Sequence, residues 1–488
     1  MRWLIALSLV LPLLTATPAH AEEGLEAYRT QEVSWRACGQ GSWCATVEVP
    51  LDYGDPGGAR ISLSLRASAP AVPDGSRPAL LVNPGGPGAT ATDYVSYFAD
   101  LVGASVSETY DIVAFDPRGV GESSPIECLT GPETTRWLRT DTSPTSPGDV
   151  RTLLRRAAAI GPGCLRMSPD LARHVGSENT VSDMDVIRSV LGQEMLNWFG
   201  FSYGTLLGAT YAQRFPERVG RMVLDGAVDP SLDAMELSRD QSRGFQTAIR
   251  RFAEGCARAA RCPLGSSTSA VIGGINRLLA RLERSPLPTD SGATLVQAEA
   301  TTALFFGMYS TDLWPLLEDA LASAQRGDGT DLAGLAAIAN QRTGPTSYSS
   351  NINSAFLAIG CWDSPAPPGR DGLASAARRW SKGAVVPDLA TAMAWGNAPC
   401  STWFGHASQP PSPVSSTTDA GILIIGTRFD PATPYTWARS LARQLPTSRL
   451  LTFEGDGHTA YGAGSACVQR LADAYLLTAS LPAPGTRC

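Results

Sequence analysis

The chain has 488 residues, with 39 Lys plus Arg against 46 Asp plus Glu and a formal net charge of -7. That length can bury a large core, either as one domain with an insertion or as two domains. The mildly acidic balance, spread along the chain, speaks against nucleic-acid binding, and Lys382 as the only lysine reads as codon bias.

The first residues, MRWLIALSLVLPLLTATPAHA, carry Arg2, an apolar stretch to Leu14, and Ala19-His20-Ala21. This pattern predicts a secretory signal peptide cleaved after Ala21. No cysteine stands directly after the cleavage site, which argues against a lipid anchor there, and no later apolar run has the length of a membrane span. A soluble, secreted protein is expected. Its ten cysteines then imply oxidation. Cys38/Cys44 and Cys256/Cys262 share one short spacing that suits local loops. Pairing neighbours adds Cys128–Cys164, Cys361–Cys400 and Cys467–Cys488 and leaves no thiol over. A zinc site would want CxxC pairs or clustered histidines, and neither occurs. No metal or other cofactor is expected.

Short apolar, β-branched runs alternate with longer amphipathic ones, which predicts an α/β fold with a mainly parallel central sheet. In chain order the strands are TVEVPL (46–51), ISLSLR (61–66), ALLVN (79–83), YDIVAFD (110–116), NWFGF (197–201) and RMVLD (221–225). GILIIGT (421–427) and RLLTFEG (449–455) follow much later. Helical spacing of Val181, Met184, Ile187, Val190 and Leu191 leads into the 197–201 strand. TLLGATYAQRFPERV after it reads as a helix ended near Phe215 by Pro216. From 231 to 395 the strand signal fades and helical runs such as GFQTAIRRFAEGCARAA, VIGGINRLLARLE and LWPLLEDALASAQR dominate. This predicts a helical lid between a first core part (22–230) and a C-terminal core part (396–488). The Pro/Ser-rich segments 141–148, 363–369 and 406–418 read as loops.

One stretch demands a chemical explanation. NWFGFSYGT (197–205) puts Ser202 between Gly200 and Gly204, straight after a strand. Gly-x-Ser-x-Gly at that place suits a sharp strand-to-helix turn that exposes a serine hydroxyl. A serine nucleophile needs a base and a group that orients the base, in the chain order serine, acid, histidine for α/β hydrolases. Beyond the signal peptide the histidines are His174, His406 and His458. His458, in EGDGHTAYG, and Asp430, in IIGTRFDPATP, each follow a predicted strand, where sites of open α/β sheets gather. Asp225, Asp229 and Asp456 compete as the acid; Asp430 is preferred. For an oxyanion, NPGGPG (83–88) offers backbone donors that glycine lets come close. Pro84 and Pro87 lack an N–H, so Gly86 is the expected donor, with Tyr203 N–H as its partner.

NPGGPG (83–88), FDPRGVGES (115–123), GFSYGT (200–205), TRFDPATP (427–434) and GDGHT (455–459) resemble the tripeptidyl aminopeptidase-like α/β hydrolases, relatives of the prolyl aminopeptidases. The likeness runs over nearly the whole mature chain, including CWD at 361–363. It implies a serine exopeptidase that removes short peptides from free N-termini, with Ser202, Asp430 and His458 as nucleophile, orienting acid and base. Asp116 and Arg118 look structural in that family. The lid acids Asp233, Glu236, Asp240 and Asp363 are candidates for holding a substrate α-ammonium, though solvated surface roles compete. A carboxylesterase, or an amidase acting on a secreted small molecule, would use the same triad. A hydrolase-fold binding protein without activity is a third reading, disfavoured by the intact serine, acid and histidine. Oligomeric state is not legible.

Overall fold

The computed structural model describes residues 18–39, 41–260, 262–406 and 410–488. The signal-peptide expectation falls mostly on residues 1–17 and so lies outside the described residues. Among the described residues, no helix is long and apolar enough to cross a membrane.

A nine-stranded sheet organises the chain. Its strands are β1 (Arg36–Ala37), β2 (Ser42–Pro50), β3 (Arg60–Ser68), β4 (Ala79–Asn83), β5 (Asp111–Phe115), β6 (Leu196–Phe201), β7 (Val219–Asp225), β10 (Ile422–Phe429) and β11 (Ser448–Asp456). The short pair β8 (Leu287–Pro288) and β9 (Thr294–Leu295) forms a separate ribbon. The order is β1-β2-β3-β5-β4-β6-β7-β10-β11. Pairing is antiparallel up to β3–β5 and parallel from β5 to β11. All eight strands expected from sequence are present. β2 begins four residues earlier than expected, because its antiparallel pairing with β3 runs back to Ser42 opposite Ser68.

The central strands β4, β5 and β6 are buried at every residue, as parallel strands covered on both faces must be. Alternation then divides their side chains between two cores. Leu81, Val113, Trp198, Met222, Leu224, Ile422 and Ile424 face one side. Leu80, Val82, Ile112, Phe199, Val223, Leu423 and Ile425 face the other. Between β7 and β10 the chain is mostly helical, and a third core of its own joins Phe245, Ile249, Phe252, Leu278, Leu279 and Leu321.

The cysteines pair as neighbours along the chain: Cys38–Cys44, Cys128–Cys164, Cys256–Cys262, Cys361–Cys400 and Cys467–Cys488. Among the described residues no cysteine is free, and no cluster of His, Cys, Asp or Glu is arranged to hold a metal ion.

Candidate active site

Four loops leave the carboxyl edge of neighbouring parallel strands, and the sequence motifs lie on them. Ser202 follows β6 and opens the helix Tyr203–Arg214. Its backbone is at φ 52°, ψ -120°, a conformation that costs an L-residue on the order of 1–3 kcal/mol. The flanking glycines make the turn sterically possible. A Cβ on Gly200 would stand 2.3 Å from Gly204 O, and one on Gly204 would stand 2.9 Å from Asn83 O. The turn is pinned to β7 by Ser202 N–H donating to Asp225 O at 2.9 Å.

NPGGPG leaves β4 directly against this elbow. A Cβ on Gly85 would lie 2.9 Å from Ser202 Cβ and 3.1 Å from Tyr203 N, and the φ of +97° itself calls for glycine. Gly85 N–H is taken by Asn83 Oδ1 at 2.9 Å. Gly86 N–H has no protein acceptor among the described residues, and Tyr203 N–H belongs to a helix's first turn, which has no intrahelical partner.

Asp430 and His458 come from the loops after β10 and β11. His458 Nδ1 lies 3.0 Å from both carboxylate oxygens of Asp430. The Asp430 side chain is wholly buried and that of His458 is 9% exposed. Asp430 also accepts from Ala432 N–H (2.9 Å), Thr433 N–H (2.8 Å), Thr433 Oγ1 (2.9 Å) and Thr459 N–H (3.1 Å). This cage fixes the orientation of the Asp430 side chain against His458. Burial pulls the imidazole pKa down, but the Asp430 charge and hydrogen bond outweigh it, with Asp225 adding to them, so His458 stands above the ordinary histidine value. The serine and histidine loops meet at the Asp225–Gly226 turn. Asp225 O holds Ser202 N–H, and a Cβ on Gly226 would lie 3.3 Å from His458 Cε1.

The rival acids are engaged elsewhere. The Asp225 carboxylate accepts Ala460 N–H and Tyr461 N–H, bracing the loop just past the histidine. Burial pushes it up to about 7. Asp229 accepts from Ser231 and from Gln444 Nε2, and Asp456 is paired with Arg251. The other two histidines serve as scaffold: His174 O accepts from Arg118 at 3.1 Å, and His406 Nδ1 faces Ser364 O at 2.6 Å. Asp116 gathers Thr92 and Glu122 N–H, and buried Arg118 is paired with Asp183 at 2.6 Å.

The acids named in the helical segment have protein partners as well. Asp233 and Glu236 form the capping box that starts helix Ala234–Arg258, and Asp240 pairs with Arg239 at 2.9 Å. Asp363 accepts from Ser177 N–H at 2.8 Å and from the Ser177 hydroxyl.

Sequence reasoning missed two contributors. Thr433 donates to Asp430 Oδ2 and lies 3.3 Å from His458 Nδ1; the signal that could have found it is Asp430 itself, whose side chain takes the N–H two residues on, at Ala432, and so shapes the turn that carries Thr433. Tyr309, from the helical segment, accepts His458 N–H through its carbonyl at 2.8 Å and sets its ring edge-on to the imidazole at 5.1 Å. A contact made by a backbone carbonyl leaves no trace in residue type.

A parallel sheet whose edge gathers a glycine-flanked serine turn, a glycine-rich loop and a buried Asp–His pair defines the α/β hydrolases. The comparisons with known proteins narrow this. Residues 386–488 match the family model of TAP-like proteins. Carboxylesterase B of Mycobacterium tuberculosis is 36% identical over 453 residues, covering 91% of this chain and 86% of the relative. Serine protease Hip1 of the same organism is 33% identical, covering 94% and 91%. Tripeptidyl aminopeptidase of Streptomyces lividans is 31% identical, covering 91% and 83%. The chain belongs to the tripeptidyl aminopeptidase-like α/β hydrolases and is a serine hydrolase.

Proposed function

We propose that the protein is a secreted serine exopeptidase that releases tri- or dipeptides from free N-termini through an acyl-enzyme. The observation that carries this is the buried Asp430–His458 pair at the turn that also holds the Ser202 elbow, in a chain aligned over most of its length with a tripeptidyl aminopeptidase and a serine protease. In this reading His458 takes the Ser202 proton as Oγ attacks the peptide carbonyl. Asp430 holds the imidazole tautomer and offsets its charge, and Gly86 and Tyr203 N–H receive the oxyanion. The proton then passes to the leaving amine, and water releases the acyl group by the same route. Segment 231–395 acts as a lid. Five disulfides fit an oxidising compartment and an exported chain.

A carboxylesterase is the second reading, favoured by the 36% identity to Carboxylesterase B. One panel separates them: free and N-acetylated di- and tripeptidyl anilides beside short-chain esters, with Ser202→Ala as control. The peptidase reading expects the free-amine peptides to turn over fastest and the Ala variant to lose at least ~10⁴-fold. Faster turnover of esters than of any peptide overturns it, and activity surviving in Ser202→Ala overturns the nucleophile.

A further inference from the structure

Cys361-Trp362-Asp363 is a sequence motif that supplies neither the triad nor the oxyanion donors. It ends helix Ile352–Asp363, which meets the FDPRGVGES and NPGGPG loops directly and the serine helix through Ser177. At the start of this helix, Asn351 Nδ2 donates to Gly119 O (2.8 Å) and Ile126 O (2.9 Å), and its Oδ1 accepts Gly121 N–H (3.1 Å). That ties it to the FDPRGVGES turn. Midway, a Cβ on Gly88 would stand 3.0 Å from both Ala355 Cβ and Phe356 N, so NPGGPG is pressed against the helix.

At its end Asp363 reaches the serine helix by way of Ser177. Oδ1 accepts Ser177 N–H at 2.8 Å, Oδ2 accepts the Ser177 hydroxyl, and Ser177 Oγ lies 2.6 Å from Tyr203 Oη. Ser177 has one hydroxyl proton and gives it to the carboxylate, so the Tyr203 hydroxyl donates to Ser177. The result is a directed chain: Tyr203 to Ser177 to Asp363. No Arg or Lys forms an ion pair with Asp363 among the described residues. Its charge is met instead by the first turn of helix Ser177–Val190. The rest of the motif holds this end of the helix independently. Cys361 is bonded to Cys400, and Trp362 fills the space a Cβ on Gly176 would need, 2.4 Å away.

We infer that Asp363 is a positioning residue: acting through Ser177, it anchors the Tyr203 side chain and so fixes the first turn of the serine helix, which carries the oxyanion-binding Tyr203 N–H. This rests on the oxyanion assignment under Proposed function. An oxyanion donor works over a window of roughly 2.7–3.1 Å, so a small rotation of that turn weakens the transition state while ground-state substrate binding is kept. The effect therefore falls on kcat and not on KM.

The experiment compares wild type, Asp363→Asn, Tyr203→Phe and the double variant. It reads kcat and KM, inhibition by a peptide aldehyde whose hemiacetal oxygen needs the same donors, and thermal midpoint. Each single variant is expected to lose roughly 10- to 100-fold in kcat, with KM within about threefold. Aldehyde affinity should fall in parallel. The double variant should be no worse than the worse single one, because both break the same chain. Losses that multiply in the double variant, or wild-type kcat and aldehyde affinity in Tyr203→Phe, overturn the inference. Should Asp363→Asn fail to fold, Ser177→Ala with Tyr203→Phe forms the same cycle under the same criteria. Fluorophosphonate labelling of the wild type distinguishes the two levels. Absence of labelling at Ser202 overturns the inference together with the reading beneath it; labelling with multiplying losses overturns the inference alone.

Discussion

A histidine that must act as a base is useful only when neutral, so its pKa sets the acid limb of activity. Burial lowers that of His458, but Asp430 and its hydrogen bond more than compensate, and the net shift is upward. The acid limb of kcat/KM is therefore expected above about pH 6.5, the ordinary histidine value. Asp430→Asn removes the charge and leaves the burial, so the residual activity should be about 10⁴-fold lower, with its limb moved to lower pH. Asp225→Asn should be milder, since that carboxylate braces the backbone of Ala460 and Tyr461. A pH profile of the three proteins on one substrate checks all of this, and an unmoved limb in Asp430→Asn removes Asp430 from the role. At this scale sequence reading reached far for side chains with rare chemistry in rare places. Ser202 between glycines, and one aspartate and one histidine each just past a strand, are such cases. It could not separate Asp430 from Asp225 by rule, because both follow strands; their roles differ only in which loop each carboxylate faces.

The elements were legible because buried parallel strands have to be continuous apolar runs. ALLVN (79–83) was read with its bounds intact, since both its faces are covered and Pro78 and Pro84 bracket it. The two-residue strands β1, β8 and β9 were not legible, because so few residues carry no periodicity. The disulfides act at this scale as well. Cys361–Cys400 spans 39 residues and Cys38–Cys44 spans 6. If loop entropy dominates, removing the first should cost about 4 kcal/mol and the second about 2. Buried Cys361, at 0% exposure, adds a packing loss on its side. Denaturant titration of the two Cys→Ser pair variants should rank them in that order. The reverse order would show that the short loop, not the long one, restrains the unfolded chain.

For the whole molecule, the decisive feature is that the helical segment is a packed body, not a flap. It has its own core, which extends to Ala432 beside the acid. Gln241 donates to Ala432 O at 2.8 Å, Arg251 pairs with Asp456, and Tyr309 O holds His458 N–H. The segment is thus built onto the loops that carry the acid and the histidine. On the reading proposed above, a packed body so placed restricts how much chain lies beyond the scissile bond on the side it covers. In the proposed function that side receives the substrate's N-terminus, and chain length is counted from there. The four acids of the helical segment named from sequence each have protein partners. Digestion of an unblocked peptide of about fifteen residues, followed over time by mass spectrometry, tests the geometry. An exopeptidase should yield a ladder of products shortened from the N-terminus in steps of two or three residues, and acetylation of that terminus should stop it. If binding energy for the amine is lost on acetylation, the slowing should be on the order of 30- to 4,000-fold, the equivalent of ~2–5 kcal/mol for an unpaired buried charge partner. Early internal fragments, or an acetylated peptide digested at the same rate, would mean that the segment leaves the cleft open at both ends. The exopeptidase mode would then fall, while the serine-hydrolase chemistry, which resides in the serine, acid and histidine loops, would stand.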